Sequence, residues 1–331
     1  MKKIGIGIIG LGNIGSRLYK EIVSKKKDIG LKTNTNINIV AISAKNINKK
    51  RIFKVKRKIF YKNPLDITKN QKVNIVIELI GKSDGISKRV IESSLKNKKH
   101  VITANKALIS KHGDYLTSIA EKNKVNLEFE AAVGGGIPVL RTIKEGLATN
   151  KISKVYGILN GTCNYILSEM EATKDSFSNV LKKAQNLGYA EPSNPKLDLN
   201  GYDAMAKIRI LSSLAFNKKI SNSKCLMEGI EDIETKDIDI ADQLNLRIKL
   251  LGITELINNK LFERVHPCLV NKNTYIANVN NAMNAVVLNG SPVGESVLQG
   301  EGAGPGPTSS ALMSDLLSIL RGNIKFPFGI P

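Results

Sequence analysis

The chain has 331 residues, 42% of them hydrophobic, which is enough for about two domains with cores of their own. No apolar run reaches the ~18 residues that a membrane span needs, and three cysteines and three histidines, scattered and without a C-x-x-C pair, argue against a disulfide framework or a metal cage. The net charge of +21 raises the question of nucleic acid, but the basic residues spread along the whole chain, as in Lys45 to Arg51 and Lys96 to Lys99. That pattern reads as a solvated lysine-rich surface attractive to anionic ligands, with neither nucleic acid nor membrane as partner.

Lys2-Lys3 followed by Ile4 to Leu11 superficially resembles a signal peptide. Glycines interrupt its apolar run and no small-residue cleavage site follows, so it is read as a first strand in a cytoplasmic protein. Ile4 to Ile9 then forms a strand, and Ile14, Leu18 and Ile22 have helical spacing. Ile37 to Ile42 and Val73 to Ile80 are strands, Val90 and Leu95 lie on a helix, and His100 to Thr103 is a further strand. Leu116, Ile119 and Ala120 mark a helix before a strand from Val125 to Phe129. This alternation predicts an α/β fold, a Rossmann-type doubly wound parallel sheet over residues 1–130. After Gly134-Gly135-Gly136, helices are expected at Pro138 to Ala148, Cys163 to Thr173, Ser176 to Leu187 and Tyr202 to Phe216. Strands from Lys154 to Leu159 and Thr274 to Val279 intervene, giving a second, α+β domain over 131–300. Residues 301–331 read as a glycine-rich turn, a helix from Thr308 to Arg321 and a proline-ended stop that packs back on the first domain.

Gly10-Leu11-Gly12-Asn13-Ile14-Gly15 is a G-x-G-x-x-G motif placed between an apolar strand and an amphipathic helix. Its glycines allow a tight turn, close approach to a pyrophosphate and close helix–strand packing, and the helix N-terminus favours phosphate charge. A dinucleotide is therefore expected on Gly10, Gly12, Asn13, Ile14 and Gly15. The second strand ends in Ser43-Ala44-Lys45-Asn46, followed by Lys49, Lys50 and Arg51, with no carboxylate to bind ribose hydroxyls. Cations there suit a 2′-phosphate, so Lys45 joins the cofactor residues and NADP is preferred over NAD.

Lys106 stands just after a strand, where open α/β sheets bind ligands. Lys207 stands four residues after Asp203 on an expected helix, so the two share a face. A lysine ammonium can protonate an alkoxide and stabilise its charge during aldehyde reduction. Taken alone, the Asp203/Lys207 pair reads first as a surface ion pair of little energetic consequence.

Six segments carry a family resemblance, in order over nearly the full chain. They are Thr103-Ala104-Asn105-Lys106-Ala107-Leu108, Ala132-Val133-Gly134-Gly135-Gly136-Ile137-Pro138, Ile158-Leu159-Asn160-Gly161-Thr162-Cys163-Asn164-Tyr165-Ile166-Leu167, Gly188-Tyr189-Ala190-Glu191, Asp198-Leu199-Asn200-Gly201-Tyr202-Asp203 with Ala206-Lys207, and Gly302-Ala303-Gly304 leading to Pro307-Thr308. Together they resemble homoserine dehydrogenase, which interconverts L-homoserine and aspartate 4-semialdehyde with NAD(P) in threonine and methionine biosynthesis. The resemblance implies Lys207 as proton donor and Lys106 in the active site and at the cofactor. It further implies substrate binding by Glu191, Asp198 and Asp203, and a contact of Gly302 with the nicotinamide end. A monovalent cation, sodium or potassium, is implied on Glu130, Val133, Gly135 and Ile137, and a homodimer through the second, catalytic and dimerisation domain.

Two departures from the family pattern stand out. Pro192-Ser193-Asn194-Pro195-Lys196-Leu197 between Glu191 and Asp198 is one residue longer than usual and lacks an acid, and Gly81-Lys82 stands where two glycines are common. Many members continue into a regulatory ACT domain after a stretch like Phe326 to Pro331; this chain reads as a short form, without threonine feedback through such a domain. Two rival readings differ in kind: an acylating semialdehyde dehydrogenase with Cys163 as nucleophile at a helix start, and a non-catalytic dinucleotide- or nucleic-acid-binding protein suggested by the charge.

Overall fold

The computed structural model describes residues 1–190, 195–221, 223–322 and 328, and these form two compact units. The first comprises Met1–Gly136 and Gly304–Pro331, and the second Ile137–Ala303. Among the described residues no helix is long and apolar enough to cross a membrane.

In the first unit β1 (Lys2–Ile9) leads into α1 (Asn13–Ser24) and α2 (Lys26–Thr33), then β2 (Thr35–Ser43), α3 (Pro64–Lys69) and β3 (Ile75–Glu78). α4 (Ile86–Lys96), β4 (His100–Thr103), α5 (Lys106–Lys122) and β5 (Leu127–Glu128) follow. The five strands are all parallel, in the order β2-β1-β3-β4-β5. Their apolar runs are buried because helices cover both faces of such a sheet. The order reverses between β1 and β3, the switch point where doubly wound sheets open a crevice at the carboxyl ends of their strands. Ile6, Ile8, Ile42 and Ile77 pack with Leu18 and Ile22 of α1. The same core takes Leu312 and Leu316 of the chain's last helix, Pro305–Leu320, and Asp315 on it accepts a hydrogen bond from Glu130 N–H at 3.0 Å.

The second unit begins with a short helix, α6 (Val139–Arg141), running into a π-helical turn at Thr142–Gly146, where one continuous helix was expected. Then come β6 (Lys151–Ile158), α7 (Gly161–Thr173), α8 (Phe177–Asn186), α9 (Lys196–Leu199) and α10 (Tyr202–Phe216). β7 (Leu226–Met227), α11 (Thr235–Gln243), β8 (Leu246–Ile257), β9 (Lys260–Asn271), β10 (Met283–Ser291) and β11 (Gly294–Glu301) complete it, and the closing helix of the chain is α12. The sheet order is β11-β10-β6-β8-β9-β7. β8 and β9 pair over their whole length through Asn258-Asn259, both at positive φ (49° and 62°), the requirement of a two-residue type I′ hairpin. The expected strand from Thr274 to Val279 is instead a 3-10 turn at Ile276–Asn278. There the Asn278 amide donates back to the carbonyls of Lys272 and Thr274, at 2.8 and 2.9 Å, curling the segment on itself.

Lys249 on β8 is buried at 1% exposure. Its ammonium donates to the carbonyl of Val279 at 2.6 Å and to Asn164 Oδ1 at 3.0 Å, both neutral acceptors. Burial pushes its pKa down to about 8, with the nearby Arg247 charge adding to the effect. The unfolded chain therefore holds a proton that the folded chain lacks between about pH 8 and 10.5. Stability should rise with pH across that window, by about 2–3 kcal/mol relative to Lys249→Met, in which this titration is gone. Urea denaturation of both proteins at pH 7.5 and 10 measures the difference; parallel pH profiles would contradict it.

Candidate active site and cofactor cleft

The cofactor motif lies at the carboxyl end of β1. Gly10 adopts φ +102°, and a Cβ there would meet the Leu79 carbonyl oxygen at 2.5 Å. A Cβ on Gly15 would meet the Gly10 carbonyl oxygen at 2.0 Å. These two glycines let strand, turn and helix approach one another. Gly12 differs: nothing lies within 4 Å of its Cβ position, and it caps α1 without a side-chain hydrogen bond. Its open face borders a cleft of about 600 Å³ lined by Leu11, Asn13, Ser16, Arg17, Lys49, Lys50, Arg51 and Pro305 among others. Uncapped helix N–H groups, an open glycine and four cations, with no carboxylate in the lining, fit the phosphates of a dinucleotide. Four backbone carbonyls, of Leu11, Asn46, Ile47 and Lys49, take up the Arg51 guanidinium and fold its loop down. The exposed Lys49 and Lys50 thus remain to face an anion, while Lys45 is exposed and outside the lining.

Lys106 is the first residue of α5, half-buried, at the carboxyl end of β4. Asn105 caps that helix by accepting the Leu108 N–H at 3.1 Å and donates to the Lys82 carbonyl at 2.8 Å. Behind this turn stands Glu78, fully buried, whose carboxylate accepts from Ile80 N–H and the Thr103 hydroxyl, each at 2.8 Å. Glu78 ties the ends of β3 and β4 together and so fixes where Lys106 starts. The sequence reading gave it no role, although an acid closing the run Ile75-Val76-Ile77 was the available signal.

In the second unit the chain leaves β6 through Leu159-Asn160 into α7. Lys207, buried on α10, donates to the Leu159 carbonyl at 2.6 Å and to Asp203 Oδ2 at 2.8 Å. The i,i+4 pair is therefore a buried one, each side chain 9% exposed. The Asn160 amide donates to Asp198 Oδ1 at 2.9 Å and Asp203 Oδ2 at 3.0 Å, so Asp198, Asp203 and Lys207 form one cluster. Two carboxylates against one ammonium leave one negative charge, which suits an amino group of a ligand. Glu191 lies outside the described residues, as do Pro192, Ser193 and Asn194 of the lengthened loop. The chain reaches that loop by way of Tyr189, whose carbonyl accepts the Thr162 hydroxyl at 2.7 Å. Thr162 and Asn160 were legible only as parts of a motif; an Asn after a strand and three residues before a helical N–H is the cap pattern that marks the second of them.

Glu130, Val133 and Gly135 lie at the end of the first unit and Ile137 opens the second. Glu130 is buried at 5% exposure, and Gly134 and Gly135 adopt φ of 73° and 55°. A carboxylate and backbone carbonyls are hard oxygen donors, the type that suits a monovalent cation over a softer metal. Gly302 is buried, and a Cβ on it would meet the Asn284 side chain at 2.1 Å, so packing already accounts for this glycine.

Cys163 is fully buried, and its thiol donates to the Asp198 carbonyl at 3.3 Å. Burial, then the charges of Asp198 and Asp203, push its pKa well above the usual thiol value, the reverse of what a nucleophile needs. In the folded protein iodoacetamide should leave Cys163 unmodified while unfolding in urea exposes it. Peptide mass mapping reads this, and rapid labelling of Cys163 under native conditions would revive the thiol chemistry.

Residues 10–130 match the family model described as homoserine dehydrogenase, NAD binding domain, and residues 138–317 the model described as homoserine dehydrogenase. The homoserine dehydrogenase of Neisseria gonorrhoeae is 40% identical over 321 residues, covering 97% of this chain and 73% of that protein. The crystal structure of a homoserine dehydrogenase from Thiobacillus denitrificans superposes with a TM-score of 0.92 at 39% identity, over 97% of this chain and 74% of that one. For the S. aureus homoserine dehydrogenase at pH 7.5 the TM-score is 0.86 at 36% identity, over 97% and 79% of the two chains.

Proposed function

The chain belongs to the homoserine dehydrogenase family, and from this premise we propose that it interconverts L-homoserine and L-aspartate 4-semialdehyde with Lys207 as proton donor. It is an NAD(P)-dependent oxidoreductase of amino-acid biosynthesis that acts on a CH–OH group of a small amino-acid substrate. The observation that carries the finer reading is the buried Lys207 held between the Leu159 carbonyl and Asp203.

The bound nicotinamide supplies the hydride in the reducing direction. Lys207 gives its proton to the oxygen on which negative charge develops, and in the oxidising direction takes it back. Asp203 neutralises the ammonium and fixes its direction within a buried site, where an unpaired charge would be costly. Asp198 and Asp203 together leave the surplus negative charge that receives the substrate ammonium, with Glu191 assigned to the same task by family resemblance. Lys106 is assigned an active-site and cofactor contact from its position at the head of α5, and Gly302 a cofactor contact.

Glu130 with the carbonyls of Val133, Gly135 and Ile137 is assigned to a sodium or potassium ion. A homodimer in the cytoplasm is further proposed. Supporting it, one face of the second sheet aligns Ile253, Tyr156, Val287 and Val297 across its strands, and Val297 and, one row away, Phe262 are left exposed.

With purified protein, aspartate 4-semialdehyde should oxidise NADPH, followed at 340 nm. Lys207→Ala should keep its NADPH affinity and lose at least ~100-fold in kcat; near-normal turnover in that variant would refute the proton-donor role. NADP is the preferred cofactor because Lys49 and Lys50 line a cleft without a carboxylate. Replacing both lysines by Ala should raise KM for NADPH about tenfold or more and leave KM for NADH nearly unchanged. An equal change for both cofactors would place these lysines away from the 2′-phosphate.

A further inference from the structure

We infer that Asn160 is a positioning residue of the active site, whose single amide group holds Asp198 and Asp203 side by side and thereby aims Lys207. The inference rests on the reading of Asp198, Asp203 and Lys207 given above and goes beyond it by naming what keeps the three together. Asp198 comes from α9, Asp203 and Lys207 from α10, and Asn160 from the N-cap of α7. The amide links the side chains of these three helices, beside the Cys163 thiol that donates to the Asp198 carbonyl. Its Nδ2 stands 2.9 Å from Asp198 Oδ1 and 3.0 Å from Asp203 Oδ2, and its Oδ1 accepts the Cys163 N–H at 2.8 Å.

The orientation of the amide is forced. Carboxylates accept only, and a backbone N–H donates only, so Nδ2 must face the acids and Oδ1 the helix. Both amide protons and one acceptor position are then in use, and the side chain is buried at 4% exposure. A serine or an aspartate would cap α7 about as well. Neither supplies two donors, and an aspartate would add a third carboxylate within hydrogen-bonding distance of two others. Hydrogen bonds to an ionised carboxylate favour that form, and a like charge disfavours it. Beside the cluster, the charges of Asp198, Asp203, Lys207 and Glu231 all act on Cys163. Lys207 reaches Asp203, whereas the amide reaches both acids. Asn160 therefore keeps both acids charged for the substrate ammonium without adding charge of its own.

The experiment compares the wild-type enzyme with Asn160→Ser and Asn160→Asp. Both variants retain a cap, so thermal melting should stay near wild type for Asn160→Ser, which serves as the measure of folding. Asn160→Ser should lose about tenfold in kcat/KM for aspartate 4-semialdehyde, with the acid limb of its pH profile moved to higher pH. Asn160→Asp should lose more and move further in the same direction. Carboxyl ¹³C titration of Asp198 and Asp203, assigned by single substitution, gives a second readout independent of turnover. Both acids should titrate at higher pH in the variants than in wild type.

Unchanged carboxyl titrations and an unchanged pH profile in a well-folded Asn160→Ser would overturn the inference. So would a lowered melting temperature with normal activity per folded molecule, since Asn160 would then be a helix cap alone. A wild-type enzyme that does not turn over aspartate 4-semialdehyde would sink the proposed reaction instead, and the carboxyl titrations would still decide the role of Asn160.

Discussion

Burying an ammonium group is costly unless acceptors surround it, and the second unit does so twice. Lys249 meets neutral oxygens, from the Val279 carbonyl and the Asn164 and Asn280 amides, and its proton is correspondingly weakly held. Lys207 meets the Leu159 carbonyl and a carboxylate. That difference separates a lysine held by neutral groups from one held by an ion pair. Bringing Asp203 to Lys207 takes one helix and i,i+4 spacing; bringing Asp198 to Asp203 takes two helices and an intervening amide. The architecture around the end of β6 follows from that second requirement.

The first unit solves a different problem with glycines. A phosphate can approach the head of α1 only if the strand, the turn and the helix already touch, and the carbonyls of Leu79 and Gly10 fill the space where two Cβ atoms would stand. Gly12 leaves its side of the turn empty. The switch point of the sheet supplies the crevice, and the loop after β2 supplies cations. Arg51 spends its guanidinium on three carbonyls of that loop and on the Leu11 carbonyl of the glycine turn, so one basic residue shapes the cleft and its neighbours carry the charge toward it. The return of α12 to this core, through Leu312 and Leu316, explains why the last segment of the chain belongs with the first.

Much of this was legible in the sequence because the signals are local. A parallel strand is a continuous apolar run, and the G-x-G-x-x-G turn follows one directly, so the order of the five strands through the first 130 residues could be read along the chain, while the short helices α2 and α3 went unread. The second sheet was harder. β8 and β9 are long antiparallel strands whose turn, Asn258-Asn259, lacks the glycine that usually announces a hairpin, and their burial depends on partners far away in sequence. The segment around Ile276 has strand-like composition but curls because the Asn278 side chain competes for its carbonyls. Glu78 and Asn160 escaped for a related reason. Their importance lies in what they touch, Thr103 in one case and two aspartates some forty residues on in the other, and a polar residue inside a motif shows its type but not its partners.

The contrast between global and local charge gives the arrangement its chemical sense. The chain as a whole carries +21, and its cofactor cleft shares that sign, which favours arrival of a polyanionic dinucleotide from a distance. The cluster around Asn160 has the opposite sign at short range, two carboxylates against one lysine, which favours a cationic amino group only once it is close. A long-range field cannot select both ligands, because they differ in charge. Under the proposed reading, selection of the amino-acid substrate falls to the buried, directional contacts of the second unit, where solvent screening is weakest.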